Sequence, residues 1–486
     1  MLSTLKTGLQ EMHPISPYLY MQFMEPLGVC DSSVDAAWDF TENNWYAKVI
    51  DKVRELAPTM VRFGGCFASY YHWNEAIGPH SDRIPMRNYL WGGIYHNQVG
   101  THELIDFCRR VDAEPLLVVN MESDGQKDWA YPKNDTCRLG TAEEAAEWVA
   151  YCNDPTHPLR AANGAAAPFE VKYWQIGNET SYFKDGFTAE QCAEITARFA
   201  RQMRHADPDL RLIAWADTHR HTGEEWASVM REVDGIDLLA FHHHFDSGLP
   251  DSPLFGTDYR LDFEKTWIHL MHAHHSLQTH IDRLRAVCNG KHLAMTEGHF
   301  TLPGRNRNEV LSTWAAGVAY ARCHNVLMRN SDLLDIATLA DFFGNVWQCN
   351  AVMLPTPLSN RGNHPYLQPV AAVMALFGRH QGKFALTLSC DADVDAVASR
   401  TGNTVYLHLV NTDMHSARQL KLDVGRPIAG IKAEIIAADP QTEITMVNPD
   451  VFTSRTLQLT GDTLTLPPAA VAAVEISLPQ SLKGQL

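Results

Sequence analysis

The sequence predicts an α/β (β/α)8 barrel, the TIM-barrel architecture, followed by an antiparallel, jelly-roll-like β-sandwich. Three observations carry that reading. From residue 18 to about residue 340, short apolar runs alternate with longer segments of helical period, the pattern of strand–helix units and a parallel sheet. Eight such runs can be counted, the number that closes a barrel. Beyond about residue 382 the texture changes to short alternating runs such as Val405-Tyr406-Leu407-His408-Leu409-Val410, broken by Gly, Asn, Asp and Pro, with no long helical pattern.

Taken in order, residues 1–17 are too short for a domain and are expected to add a strand to the sandwich; 18–382 form the barrel and 383–486 the sandwich. The barrel strands are expected at 18–23, 59–63, 115–119, 171–176, 211–215, 236–241, 292–296 and 335–339. Thr141 with Glu144 fits a capping box ahead of a helix over 142–152, and Thr188 with Gln191 does the same for 189–204. In the second helix Cys192, Ile195, Phe199 and Met203 share one face, as a helix packed on a barrel requires. A last helix is expected over 367–378.

A formal charge of −17 disfavours nucleic acid or an anionic membrane surface as a partner and suits a neutral substrate. No run reaches the ~18 apolar residues of a spanning helix. The first residues, Met1-Leu2-Ser3-Thr4-Leu5-Lys6, lack the apolar core of a signal peptide, so a cytoplasmic protein is expected. Ten scattered cysteines with no CxxC read as reduced thiols. The histidines cluster at His242-His243-His244 and at His272 with His274-His275, which raises a metal hydrolase as a reading. Adjacent strand residues point to opposite sides, so at most His242 and His244 could share an ion, and no HExxH supports them. Neither a metal nor a cofactor is expected.

The chemistry concentrates in Tyr173-Trp174-Gln175-Ile176-Gly177-Asn178-Glu179. A buried-looking strand stops at a glycine, and an amide and a carboxylate follow at its carboxyl end, the rim where a barrel carries its reactive groups. Glu297, in Ala294-Met295-Thr296-Glu297-Gly298-His299, ends the seventh expected strand as Glu179 ends the fourth. Two carboxyls facing each other across a barrel mouth suit glycosidic cleavage, one protonating the leaving oxygen and the other attacking the anomeric carbon.

The chain resembles glycoside hydrolase family 51 of clan A, the α-L-arabinofuranosidases. Pro14-Ile15-Ser16-Pro17 through Phe23-Met24-Glu25-Pro26-Leu27-Gly28, Arg62-Phe63-Gly64-Gly65 through His72-Trp73, Trp91 through Glu103, Arg160-Ala161-Ala162-Asn163-Gly164, and Trp174 to Glu179 carry the likeness. Asn448-Pro449 through Leu466-Pro467-Pro468 extends it into the sandwich. The resemblance implies Glu179 as general acid/base and Glu297 as nucleophile of a retaining enzyme, with Glu25 and Asn178 on sugar hydroxyls. Arg62 would orient Glu297 and favour its ionised form. Trp91 would offer an aromatic face to a sugar ring. For that chemistry the pKa of Glu179 must be raised while that of Glu297 stays low. The substrate implied is an arabinose-containing oligosaccharide, and the assembly implied is a homo-oligomer, a hexamer among its forms.

Several positions depart from the family pattern. Cys66 replaces the asparagine that lines the sugar pocket, Thr296 replaces an aspartate, and Gly298 replaces a tryptophan. His242 matches a family histidine, but His244 stands where a tyrosine hydrogen-bonds the nucleophile, a role an imidazole could keep by donating to the carboxylate. Trp347-Gln348 is matched to the family's "WxQ", which makes Gln348 a candidate sugar ligand. Because these changes touch the sugar pocket, two other readings stand beside an arabinofuranosidase. One keeps the mechanism on another sugar, as an endo-β-1,4-glucanase, β-xylosidase or galactofuranosidase; the other is a catalytically dead sugar-binding barrel.

Overall fold

The structure is a computed structural model that describes residues 2–122, 139–183, 186–301 and 309–479. Eight parallel strands build the barrel: β1 Met21–Met24, β2 Met60–Phe63, β3 Glu114–Val119, β4 Tyr173–Ile176, β5 Arg211–Trp215, β6 Leu238–Phe245, β7 His292–Phe300 and β8 Leu334–Ala337. Each is hydrogen-bonded in parallel to the next from β1 to β8. The ring closes through a single parallel bridge between Tyr18 and Ile336, with Ala337 N–H donating to the Tyr18 carbonyl at 3.0 Å. Strands with both faces covered read as continuous apolar runs, and the Leu116–Val119 stretch of β3 is buried throughout.

Two strands run past their expected ends. β6 and β7 extend through His244 and His299, pairing His242 with Glu297 and His244 with His299. The register shifts between Phe241–Met295 and His242–Glu297, leaving Thr296 as the extra residue of a bulge. Bulges re-aim side chains at barrel rims, and this one sits under Glu297. Beyond β8 the sheet continues with Asp341–Gly344, parallel to β1, and then Asn350–Met353 and Tyr366–Leu367.

Helices cover the barrel as their periods require. Thr188 and Gln191 form the expected capping box before Ala189–Ala206, whose Cys192, Ile195, Phe199 and Met203 are buried. At Ala142–Asn153 only half the expected box forms. Thr141 accepts from Glu144 N–H, but the Glu144 carboxylate bonds His72 Nδ1 at 2.9 Å instead of returning to the cap.

The C-terminal part is one continuous nine-stranded sheet folded around its own core of residues such as Leu5, Leu407, Leu422, Leu464 and Val474. The N-terminal strand Leu2–Pro14 belongs to it, lying between Phe384–Cys390 and Arg418–Asp423. It pairs antiparallel with the first and parallel with the second, so the sandwich is not purely antiparallel as the alternation had implied. Arg322, Asn325 and Arg329 of the Trp314–Arg329 helix all converge on Asp395 of this sheet, and Trp314 Nε1 donates to the Ala469 carbonyl at 2.7 Å. Val471 and Ala473 join the barrel's own apolar core.

Candidate active site

The carboxyl ends of the strands surround a cleft of about 390 Å³ whose lining includes Glu25, Cys66, Trp91, Glu179, His244 and Glu297. A larger groove of about 820 Å³ lies on the sandwich and shares no lining residue with it.

Chain geometry places each group. After β4, Gly177 (φ 75°) and Glu179 (φ 55°) both take left-handed backbone. In a non-glycine residue that conformation costs about 1–3 kcal/mol and persists where the surroundings impose it, as they do around a reactive group. After β2, Gly65 (φ 136°) leaves room for Glu25, whose Oε2 lies 2.2 Å from where a Cβ would stand.

Arg62 organises the floor. It is fully buried, donating from Nη1 to Glu297 Oε1 at 2.9 Å, from Nη2 to Asn178 Oδ1 at 2.6 Å and from Nε to Gln175 Oε1 at 3.0 Å. His242 Nδ1 lies 2.9 Å from Glu179 Oε1 and 3.5 Å from Glu297 Oε2, while its Nε2 meets Thr296 Oγ1 at 3.0 Å. One carboxylate oxygen from each of Glu179 and Glu297 and a ring nitrogen of His242 fall within 4.8 Å of one another. Glu25 Oε1 accepts from Trp91 Nε1 at 2.8 Å and from Phe67 N–H at 3.3 Å. Cys66 Sγ sits 3.5 Å from Glu179 Oε2, in donor position.

The electrostatics follow from burial. Burial pushes the Glu179 carboxyl up, opposed mainly by the positive charge of Arg220. It pushes Glu25 well up, and the neighbouring charge of Glu297 adds to the rise. It also pushes Glu297 up, opposed by His242 and Arg62, so the expectation that Glu297 simply stays low needs correction. Burial holds His242 down at about 3, which makes it a neutral hydrogen-bonding bridge. The standing counter-charge for Glu297 is therefore Arg62, in contact at 2.9 Å. Burial pushes the Cys66 thiol well above its ordinary value, so it remains S–H.

The structure thus brings together Glu25, Arg62, Cys66, Trp91, Asn178, Glu179, His242 and Glu297. Two expected sugar or nucleophile contacts are corrected. His244 lines the cleft but makes no hydrogen bond to Glu297 among the described residues; its ring lies against His299, centroids 4.8 Å apart. Gln348 does not line the cleft, because its amide oxygen accepts from Ser312 Oγ at 2.6 Å and Gln368 Nε2 at 3.0 Å. Its neighbour Trp347 does, packed edge-on against Trp91 at 5.3 Å.

Sequence reasoning missed Gln175, Arg220, His299 and Asp341. A buried amide inside an apolar run was the available signal for Gln175, and a polar run following β5 was the signal for Arg220, which lies 4.0 Å over the Tyr182 ring. His299 lines the cleft from the polar end of β7, which did not read as strand, and Asp341 from the short Asp341–Gly344 strand, which lies beyond the eight expected.

Residues 52–248 match the family model described as the α-L-arabinofuranosidase 1 domain, and residues 296–470 match the α-L-arabinofuranosidase C-terminal domain. An intracellular exo-α-L-arabinofuranosidase of Bacteroides ovatus is 24% identical over 444 residues, covering 84% of this chain and 81% of the relative. α-L-Arabinofuranosidase C of Emericella nidulans is 31% identical over 209 residues, 41% of this chain and 38% of the fungal protein, so the chain spans about two fifths of the length of that relative. Among solved structures, the family 51 arabinofuranosidase of Xanthomonas axonopodis pv. citri superposes with TM-score 0.80 at 21% identity, over 98% of this chain and all of that one. An arabinose complex of the Thermotoga maritima α-L-arabinofuranosidase gives 0.74 at 22% identity, with the same coverage of both chains.

Proposed function

The chain belongs to the α-L-arabinofuranosidase family, glycoside hydrolase family 51, and on that premise we propose that it removes terminal α-L-arabinofuranosyl residues from oligosaccharides with retention of configuration. The observation that carries this is the approach of the two carboxylates, oxygens within 4.8 Å at the floor of a sugar-sized cleft. Retaining enzymes hold the pair at roughly 5 Å, whereas inverting ones leave room for a water between them.

In this reading Glu297 attacks the anomeric carbon while Glu179 donates a proton to the departing oxygen, and Glu179 then takes a proton from the water that releases the sugar. The raised pKa of Glu179 suits an acid that must be protonated at the start. Arg62 favours the ionised form of Glu297 against the burial that raises its pKa, and ties Asn178 to the same guanidinium, so nucleophile and sugar-binding amide are held as one unit. Glu25 and Trp91 face the sugar as a bonded pair. His242 bridges both carboxylates as a neutral imidazole and can follow their exchange of roles without gaining charge.

Two of the relatives are named intracellular, and on that likeness we place the protein in the cytoplasm, acting on imported oligosaccharides; the homo-oligomer stays what the family resemblance implies. We also divide the chain near residue 382, with the first 17 residues belonging to the sandwich domain.

A panel of 4-nitrophenyl glycosides tests the assignment. The α-L-arabinofuranoside should be turned over best, Glu297→Ala should abolish turnover, and azide should rescue that variant to a glycosyl azide of configuration opposite to the substrate's. Unchanged turnover by Glu297→Ala refutes the enzyme reading. Turnover of an aryl xyloside or galactofuranoside with the arabinofuranoside inert keeps the two roles and overturns the sugar.

A further inference from the structure

A second cluster of ligating atoms lies at the edge of the same cleft. A ring nitrogen of His299, a carboxylate oxygen of Asp341 and Cys349 Sγ fall within 4.8 Å of one another, all three residues buried. His299 Nε2 is 3.5 Å from Asp341 Oδ1, and Cys349 Sγ is 3.4 Å from Asp341 Oδ2. A zinc ion with N and O ligands at about 2.0–2.2 Å and S at about 2.3 Å in a tetrahedron separates neighbouring donor atoms by roughly 3.4–3.6 Å. Each observed spacing has that length, but the two reach different oxygens of Asp341, so the carboxylate must turn one oxygen between the two ligands, or use both, as the ion enters.

The ring orientation points the same way. His299 Nδ1 lies 3.1 Å from the Phe300 carbonyl, which can only accept, and 3.4 Å from Thr301 Oγ1; when Nδ1 donates to that carbonyl, the Nε2 lone pair of the neutral ring faces Asp341. A histidine that donates one ring N–H to a backbone carbonyl and presents the other nitrogen is the usual arrangement of a metal ligand. The alternative, a protonated His299 paired with Asp341, should close to about 2.7–2.9 Å. At 3.5 Å it has not closed, and Asp341 Oδ1 has no hydrogen-bond partner among the described residues although it is buried. His299 and Asp341 line the cleft and Cys349 does not, so a fourth position opens toward the sugar space.

We propose that His299, Asp341 and Cys349 bind one zinc ion, with an open coordination position that faces the cleft and takes a water or a sugar hydroxyl. The thiol proton of Cys349 leaves to solvent as the S–Zn bond forms, and the dication is balanced by one thiolate and one carboxylate. A nitrogen, oxygen and sulfur donor set selects zinc over magnesium or calcium, which prefer oxygen alone. The site is separate from the reacting carboxylates and goes beyond the glycosidase reading.

The full-length protein, stripped with a chelator, is titrated with zinc against a chromogenic competitor and, separately, with cobalt. One equivalent should bind, and cobalt should give a thiolate-to-metal charge-transfer band in the near ultraviolet. Cys349→Ser should remove the band and weaken zinc binding by about tenfold or more, Asp341→Asn should weaken it comparably, and Cys66→Ser should leave both unchanged. Circular dichroism checks each fold, and Cys349→Ala with Asp341→Asn carry the same readouts if the serine variant does not fold. Absence of a saturable one-equivalent site, a band that survives in Cys349→Ser, or a band lost in Cys66→Ser would each overturn the proposal.

Discussion

Replacing Arg62 by methionine tests the electrostatic core of the site. Methionine fills much of the stem volume but supplies none of the donors that reach Glu297, Asn178 and Gln175. Removing one partner of a fully buried ion pair costs about 3–5 kcal/mol, because the other charge is left unpaired. If that loss falls on the barrier, at about 1.36 kcal/mol per decade, kcat/KM on an aryl arabinofuranoside drops by roughly two to four orders of magnitude. Part of the loss has a pH signature. In the proposed mechanism Glu297 must be ionised to attack, and without Arg62 burial and the nearby Glu179 charge push its carboxyl further up, so the acid limb of kcat/KM moves to higher pH. The stability sign follows. A carboxyl raised in the folded state contributes stability that is complete below its unfolded pKa and is lost as pH rises through the folded value, so Arg62→Met should lose more Tm at neutral than at acid pH. Arg62→Lys keeps the charge but not the fork, and should fall between the two in rate with a smaller displacement of the limb. A methionine variant with kcat/KM within a few-fold of the parent and an unmoved acid limb would refute the argument.

Glu25→Gln keeps an oxygen for the Trp91 and Phe67 donors while removing a buried carboxylate whose pKa burial and Glu297 raise well above the ordinary value. Its Tm should rise at neutral pH and match the parent's at acid pH, where Glu25 is protonated anyway, while KM for the sugar increases; an equal Tm shift at every pH would contradict this. Gly65→Ala places a Cβ 2.2 Å from Glu25 Oε2 at φ 136° and should cost about 1–3 kcal/mol of strain and displacement, read as a rise in KM with the fold intact. In a Glu25→Ala background the same substitution should cost clearly less, and an undiminished cost would show that the glycine serves something other than Glu25.

The barrel was legible because its strands are buried on both faces and bounded by turn residues. β5, expected at 211–215, forms as Arg211–Trp215. The strand ends at the rim were not legible. His242-His243-His244 and Glu297-Gly298-His299 are polar, so hydrophobic periodicity ends at 241 and 296 while backbone pairing continues to Phe245 and Phe300. The bulge at Thr296 hides for the same reason, since it is a property of a pair of strands and one strand's sequence does not encode the partner's register. The first expected strand, 18–23, appears as Met21–Met24 with Tyr18 reduced to the bridge that closes the ring. In the site, the carboxylates could be placed from their positions at strand ends. The three bonds of Arg62 and the convergence of His299, Asp341 and Cys349 could not, because each joins residues brought together only by barrel closure.

The departures from the family pattern are coupled to one another. Thr296 is the bulged residue, and its hydroxyl, which can donate or accept, is what His242 Nε2 meets, so this substitution leaves the tautomer of the imidazole between Glu179 and Glu297 free to follow those carboxylates. Gly298 has no room for a side chain, because a Cβ there would lie 2.5 Å from the Thr338 carbonyl, immediately after β8. A tryptophan at that position would force β7 and the chain leaving β8 apart, so Trp347, packed against Trp91, supplies an aromatic wall from a different segment. His244, facing His299 across the paired strands, turns a tyrosine-type contact with the nucleophile into one with the His299–Asp341–Cys349 cluster. Changing one of these residues alone toward the family pattern should therefore damage the site: Gly298→Trp or His244→Tyr singly should lower activity, whereas independent substitutions would each be neutral or beneficial on an arabinofuranoside.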